Sequence, residues 1–281
     1  MARKFGMILL AALLAGPGAT LGRGADDAAT LRAGKNFLPT PVFTDQEDQR
    51  ILALFKGLRV ADVVDGMNAA GLQNIGLMDQ DILPLWRDTS KFAHRFAGVA
   101  VTARYVPTQS PPAGGMSVEA YDAWAADWYD RKSSEAFMPL IRKGSALVID
   151  DAPTADVGSI GSFNILEWFG KGCVGVVTGA TARDTDEIIA ERIPLYMKRP
   201  GRGIRPGRNE LESVNRPIVC GGVLVVPGDI IVADGDGVVV VPRAKADAVA
   251  AYARKILGSD KEGRRELYRS LKRQADASVK D

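Results

Sequence analysis

Arg183 and Asp184 stand side by side, each reached through a glycine turn, and their chemistry is complementary. A fixed cation beside a lone hard carboxylate suits a metal-chelated oxoacid, because magnesium takes one or two protein carboxylates and completes its shell with water and substrate oxygens. Upstream, Gly158-Ser159-Ile160-Gly161-Ser162 opens a short amphipathic segment, Asn164 to Phe169, which Gly170 and Gly172 stop before an apolar strand, Val174 to Thr178. A second turn at Gly179 delivers Arg183 and Asp184 to another helix start. Two helix N-termini facing one cleft would offer unpaired backbone N–H groups to a small anion. A plainer reading competes. Asp184 followed three residues later by Glu187 fits a capping box that serves only its own helix.

Other chemistry-bearing residues are sparse. The single histidine, His94, leaves zinc sites and Ser-His or Cys-His arrangements short of parts, and reads as the lead-in to a strand. Cys173 and Cys220 flank apolar runs, where a free cysteine behaves as a small core residue; pairing between them stays open. Asp151 and Asp156 follow the short strand Ala146 to Asp150, as site carboxylates or as turn residues. Asp234-Gly235-Asp236-Gly237 lacks the rest of a calcium loop and reads as a hairpin turn. Lys198 to Arg208, KRPGRGIRPGR, reads as a solvated basic loop or as one that steers an anion. Tyr121, Trp124, Trp128 and Tyr129 fall on one helical face and suit a packing or subunit surface.

The elements that must position these residues come from a chain of 281 residues, 46% hydrophobic and 25% charged, enough for one large core. A net charge of +2 from 36 basic and 34 acidic residues gives no overall footprint for nucleic acid. Residues 1–22 have the ordering of a signal peptide: Arg3 and Lys4, an apolar run from Met7 to Ala15, then a small-residue exit. That run is too short to span a membrane, so an exported, periplasmic or extracellular protein is expected. Residues 23–44 read as a tether, 45–265 as the folded domain and 266–281 as a charged tail. Helices are expected at Asp45 to Gly57, Arg59 to Ala70 and Ala244 to Leu257, with the chain from Gly258 onward on the surface or on a neighbouring subunit. Strands are expected at Phe96 to Val106, Ile218 to Cys220, Val223 to Val226, Ile230 to Ala233 and Val238 to Val241. No internal repeat is evident.

The run GCVGVVTGATARDTDEI, followed by NRPIVCGGVLVVPGDIIVADGDGVVVVP, resembles the RraA-like family over about residues 45–265. That family takes in the regulator of ribonuclease E activity and the metal-dependent 4-hydroxy-4-methyl-2-oxoglutarate aldolases. The resemblance implies an α/β fold of the swivelling β/β/α type, one compact domain with extended termini, assembled as a homotrimer or hexamer. It implies Mg2+ or Mn2+ on Asp184, Arg183 on the oxoacid, and the amides of Gly161, Ser162, Phe163, Asn164 and Ile165 as a carboxylate cradle. Glu262 matches an acidic residue lent by a neighbouring subunit.

Ser162 departs from the aldolase pattern, in which an acidic residue follows the glycine matching Gly161. A serine hydroxyl is no general base near neutral pH without a base beside it. Retro-aldol cleavage needs that base for the alcohol proton, whereas decarboxylation of a 2-oxo-diacid needs only a metal and the positioning arginine. The expectation is therefore a metal-dependent carbon–carbon lyase on small anionic 2-oxoacids, with Asp151 or Asp156 as possible substitutes for the missing carboxylate. The alternative is a non-catalytic RraA-like binding or regulatory protein.

Overall fold

The computed structural model describes residues 28–111, 113–151 and 156–280; the expected signal segment, 1–22, lies outside them. The chain divides into two units, Met1–Phe37 and Leu38–Asp281. In the first, α1 (Ala28–Arg32) is a helical turn within the expected tether, and the Lys35 ammonium lies 5.7 Å from the Phe37 ring centre.

The second unit opens with two packing helices. Thr44 and Glu47 form a reciprocal capping box that starts α2 (Asp45–Phe55), which buries Ile51 and Phe55. α3 (Val60–Ala69) borrows its cap from far away: the Val60 N–H donates to Asp234 Oδ2 at 2.9 Å. Then come β1 (Leu83–Pro84), the long β2 (Phe96–Pro107), α4 (Val118–Arg131) and β3 (Ser145–Asp150). The central stretch supplies α5 (Ser162–Gly170), β4 (Cys173–Thr178), β5 (Thr181–Ala182) and α6 (Thr185–Ala190). There follow β6 (Leu195–Met197), β7 (Arg199–Pro200), β8 (Asn209–Val214), β9 (Ile218–Cys220), β10 (Val223–Val225), β11 (Ile230–Asp234), β12 (Gly237–Val241) and α7 (Ala246–Ser270).

The main sheet has the order β1-β6-β4-β3-β2-β11-β12, with β8 on the far half of β2. β2, β3, β4 and β6 are mutually parallel, so the loops that leave β3 and β4 emerge at one end of the sheet. β3, β4 and β6 are covered on both faces, which is why they read as near-continuous apolar runs. In β3, Leu147 and Ile149 pack under α5 and α6 with Ile165, Trp168 and Ile188, while Ala146 and Val148 point to the opposite face. In β12, Val239 and Val241 join the core beneath α2, α3 and α7, and Val238 and Val240 face the other way. Just ahead of β1 the chain returns to β12: Leu77 bridges Val239, Val240 N–H donates to the Gly76 carbonyl at 2.8 Å, and Met78 N–H donates to the Val238 carbonyl at 3.2 Å. The sheet thus nearly closes on itself, the mixed α/β architecture expected. Among the described residues no helix is long and apolar enough to cross a membrane.

Two expectations need correction. The C-terminal helix does not stop at Leu257; α7 runs on through Gly258 and Gly263 to Ser270. A single helical glycine costs only about 1 kcal/mol relative to alanine. Long-range ties outweigh it: Arg59 pairs with Asp260 at 2.8 Å, Lys261 Nζ donates to the Lys280 carbonyl at 2.7 Å, and Arg265 Nε to that of Val279 at 2.6 Å. β8, with the polar sequence NELESV, was not expected as a strand. It forms because β2 outruns β11, whose pairing ends at Val99, leaving Ala103 to Pro107 on that edge to pair with it. The DGDG segment is the β11–β12 hairpin turn, with Asp234 opposite Gly237.

Candidate active site

Because β3 and β4 are parallel neighbours, α5 and α6 start at the same end of the sheet. Ile160 bridges Ala182, and the Arg183 N–H donates to the Ile160 carbonyl at 2.8 Å, so the glycine turn is stitched to the segment carrying Arg183 and Asp184. Two glycines make room for this. A Cβ on Gly158 would lie 2.5 Å from Arg183 Cβ, and one on Gly161 would lie 2.8 Å from Asp184 Oδ2.

Asp184 does not cap its own helix. Its backbone is left-handed (φ 57°, ψ 41°), a conformation aspartate tolerates better than most residues, and its side chain makes no bond to the first turn of α6. The capping-box reading is therefore corrected: Oδ2 instead accepts the N–H of Ser162, the first residue of α5, at 3.1 Å. Arg183 Nε lies 3.7 Å from Asp184 Oδ1, and the two side chains are 36% and 38% exposed, open to a ligand from solvent.

The residues expected to cradle a carboxylate divide. Gly161 is the N-cap residue of α5, and the Ser162 amide is held by Asp184. Ile165 is buried and its N–H closes the first helical bond, to the Gly161 carbonyl at 3.1 Å; it supports the site without facing it. The amides of Phe163 and Asn164 are first-turn groups, as a helix start leaves them for a ligand or water. The Phe163 side chain is 78% exposed. Asn164 turns its side-chain amide inward to Glu135 Oε1 at 2.6 Å.

That contact belongs to a network the sequence did not reveal. Glu135 also accepts from Trp168 Nε1 at 2.8 Å and pairs with Arg205, which donates to the Tyr105 hydroxyl at 2.7 Å. The side chains of Arg205 and Glu135 are only 5% and 15% exposed. Burial pushes the Tyr105 phenol above its ordinary range. So Arg205, read as part of a solvated basic loop, is a core residue that ties the loop to α5. The loop itself lies along the site: β7 pairs with β5, the Gly201 N–H donates to the Ala182 carbonyl at 2.7 Å, and Gly203 bridges Val157. Arg199 and Arg202 are exposed there.

The possible substitutes for the missing carboxylate are engaged elsewhere. Asp151 is buried, accepting from the Ser159 hydroxyl and from Asn209 Nδ2 at 2.8 Å. Asp156 pairs with Arg202 and accepts its backbone N–H at 2.8 Å. His94 leads into β2, buried, with Nδ1 accepting the Asp88 N–H at 3.0 Å. Cys173 and Cys220 are both free and buried. Tyr121, Trp124 and Trp128 form a ladder of rings 5.4 Å apart, closed at its inner end by buried Trp128. Glu262 is exposed on α7, which packs chiefly on α2 and α3, away from α5 and α6.

No group of three or more His, Cys, Asp or Glu among the described residues is placed to hold a metal. Asp184 still fits an oxygen-seeking ion: it is a hard carboxylate, partly exposed, in a niche that a Cβ on Gly161 would fill. One such ligand suffices where substrate and water supply the rest.

Residues 60–240 match the family described as RraA-like, Aldolase/RraA. A relative from Halalkalibacterium halodurans with the provisional name 4-hydroxy-4-methyl-2-oxoglutarate aldolase is 31% identical over 118 residues, 42% of this chain and 55% of its own. Protein DlpA of Legionella pneumophila is 26% identical over 220 residues, 76% of this chain and 32% of its own. The chain thus spans about half of the first relative and a third of the second. RraAS2 of Streptomyces coelicolor, described as an unusual member of the RNase ES inhibitor RraA protein family, superposes with a TM-score of 0.63 at 20% identity, covering 78% of this chain and 98% of its own. An uncharacterized protein from Pseudomonas syringae pv. tomato gives 0.62 at 24% identity, covering 83% and 96%. At these identities the structural likeness speaks for the fold.

Proposed function

The chain belongs to the RraA-like family, and from that premise we propose that it is a divalent-metal-dependent carbon–carbon lyase acting on small 2-oxoacids, decarboxylating oxaloacetate-like substrates better than it cleaves hydroxy-oxo-diacids. The observation that carries this reading is the Arg183–Asp184 pair seated on the Gly158–Gly161 turn beside the N-terminus of α5. Asp184 would hold Mg2+ or Mn2+. When bound, the ion supplies positive charge where negative charge develops on the 2-oxo oxygen.

The protein's own groups do the rest. Arg183 binds and orients the substrate's 2-oxo carboxylate, with the Phe163 and Asn164 amides as further donors. Loss of the distal carboxylate as CO2 leaves its electron pair on the adjacent carbon, which takes a proton from water. No base is needed for that step. Retro-aldol cleavage must begin by removing an alcohol proton, and near Ser162 the candidate carboxylates Asp151 and Asp156 are already committed. The same lack supports a second reading, a protein that binds oxoacids without turning them over.

Pyruvate release from oxaloacetate and from 4-hydroxy-4-methyl-2-oxoglutarate, with Mg2+ and with chelator, separates the readings. Wild type is expected to favour oxaloacetate, Arg183→Ala to lose both activities, and Ser162→Asp to raise aldol cleavage selectively, by about 10²-fold or more. No pyruvate above the metal-only background, with oxalate still bound, would establish the binding protein instead. We further propose that the mature chain is exported and forms a homotrimer or hexamer in which Glu262 is lent across a subunit boundary. N-terminal sequencing of the periplasmic product and its mass in solution test these points.

A further inference from the structure

A cavity of about 820 Å³ opens at the other pole of the sheet. Its walls include Phe96 and Ala97 at the start of β2, Lys143 and Gly144 just before β3, and Val174 at the start of β4. The Arg183–Asp184 site follows the opposite ends of these parallel strands, a strand length or roughly 15–20 Å away.

Its charge is one-sided. Lys56, Lys91, Arg95 and Lys143 line it, and among the described residues none of the four has an ion-pair partner. Arg59 and Lys261 also line it but are answered, Arg59 by Asp62 and Asp260, Lys261 by the Lys280 carbonyl. Arg95 is the more telling. Its Nε is buried with no hydrogen-bond partner, although buried donors are nearly always paired. Its guanidinium carbon lies 3.8 Å from the ring centre of Phe92, which is held at φ 57°, an uncommon conformation for an aromatic residue. Strain of this kind gathers at ligand sites. Between the cations the wall is apolar, from Leu52, Leu58 and Leu257.

We propose that this cavity binds a small amphiphilic anion: one phosphate or carboxylate head on an aryl or short acyl body. The head meets Arg95, Lys91 and Lys143, and the body lies on the leucines and Phe92. The cavity has ample room for such a ligand. A bare ion would leave the apolar wall unused.

Calorimetric titration of the full chain with phenyl phosphate, inorganic phosphate and benzoate tests the assignment and tells the two heads apart. Phenyl phosphate or benzoate is expected to bind wild type and Arg183→Ala alike, and phenyl phosphate about tenfold or more tighter than inorganic phosphate. Arg95→Gln should weaken binding about tenfold. Lys143→Glu, a change at an exposed position, should weaken it similarly and keeps the test valid if Arg95→Gln fails to fold. Three results would overturn the proposal: no saturable binding of either aryl anion at millimolar concentration, equal affinity for phenyl and inorganic phosphate, or loss of binding in Arg183→Ala with Lys143→Glu unaffected.

Discussion

Asp184 caps a helix that is not its own: its carboxylate accepts the N–H of Ser162, 22 residues earlier, at 3.1 Å. One side chain therefore joins the two helix starts. Cap and ligand roles separate in Asp184→Asn, which keeps an acceptor for the amide and tolerates the left-handed backbone, but is a poor sole ligand for magnesium. In that variant Mn2+ binding in the presence of oxalate should vanish, while urea unfolding shifts by less than about 1 kcal/mol. Asp184→Ala should lose both, with about 0.5–2 kcal/mol of stability. Undiminished Mn2+ binding by the asparagine variant would leave only the cap.

Gly161 is needed for space more than for its backbone angles, since its φ of −112° is open to any residue. A methyl group there meets Asp184 Oδ2 at 2.8 Å. Gly161→Ala should keep the fold and lower Mn2+ and oxalate affinity at least about tenfold. Circular dichroism and calorimetry on one preparation check both halves.

Glu135 receives Asn164, Trp168 and Arg205 at once. Removing it strands a buried guanidinium, a change that typically costs about 3–5 kcal/mol. Glu135→Ala should unfold correspondingly earlier in urea. An unchanged midpoint would mean that Arg205 finds another partner.

Burial raises the Cys173 thiol from 9.0 to about 11 and the Cys220 thiol from 9.0 to about 12. Both should resist a thiol reagent at pH 8 in the native protein and react fully once it is unfolded. The linkage sign follows. The folded thiols keep their protons above pH 9 while the unfolded ones lose them, so stability is complete below about pH 9 and falls as pH rises towards 11–12. Serine at both positions should flatten that alkaline limb of the urea midpoint.

The parts of this fold visible in sequence are those set by neighbours along the chain. Gly170 and Gly172 end α5 as expected, and DGDG turns the β11–β12 hairpin. What was hidden depends on residues brought from elsewhere. The i, i+3 spacing of Asp184 and Glu187 fits a cap, yet a left-handed backbone sends the carboxylate to Ser162. Arg205 looked solvated amid glycine and proline because its partner Glu135 lies 70 residues away. NELESV carries no apolar alternation and becomes a strand only through the free half of β2.

The return of residues 76–78 onto β12 also bears on solubility. Gly237-Val238-Val239-Val240-Val241 is the most β-prone stretch of the chain, and as a bare edge it would template pairing with other molecules. The Gly76 carbonyl and the Met78 N–H occupy that edge. Gly76 has a φ of 77°, and any Cβ on it would press into the Val240 carbonyl. A larger residue at position 76 would therefore lift this cover and expose the valines, so its mark should be aggregation during refolding, growing with protein concentration.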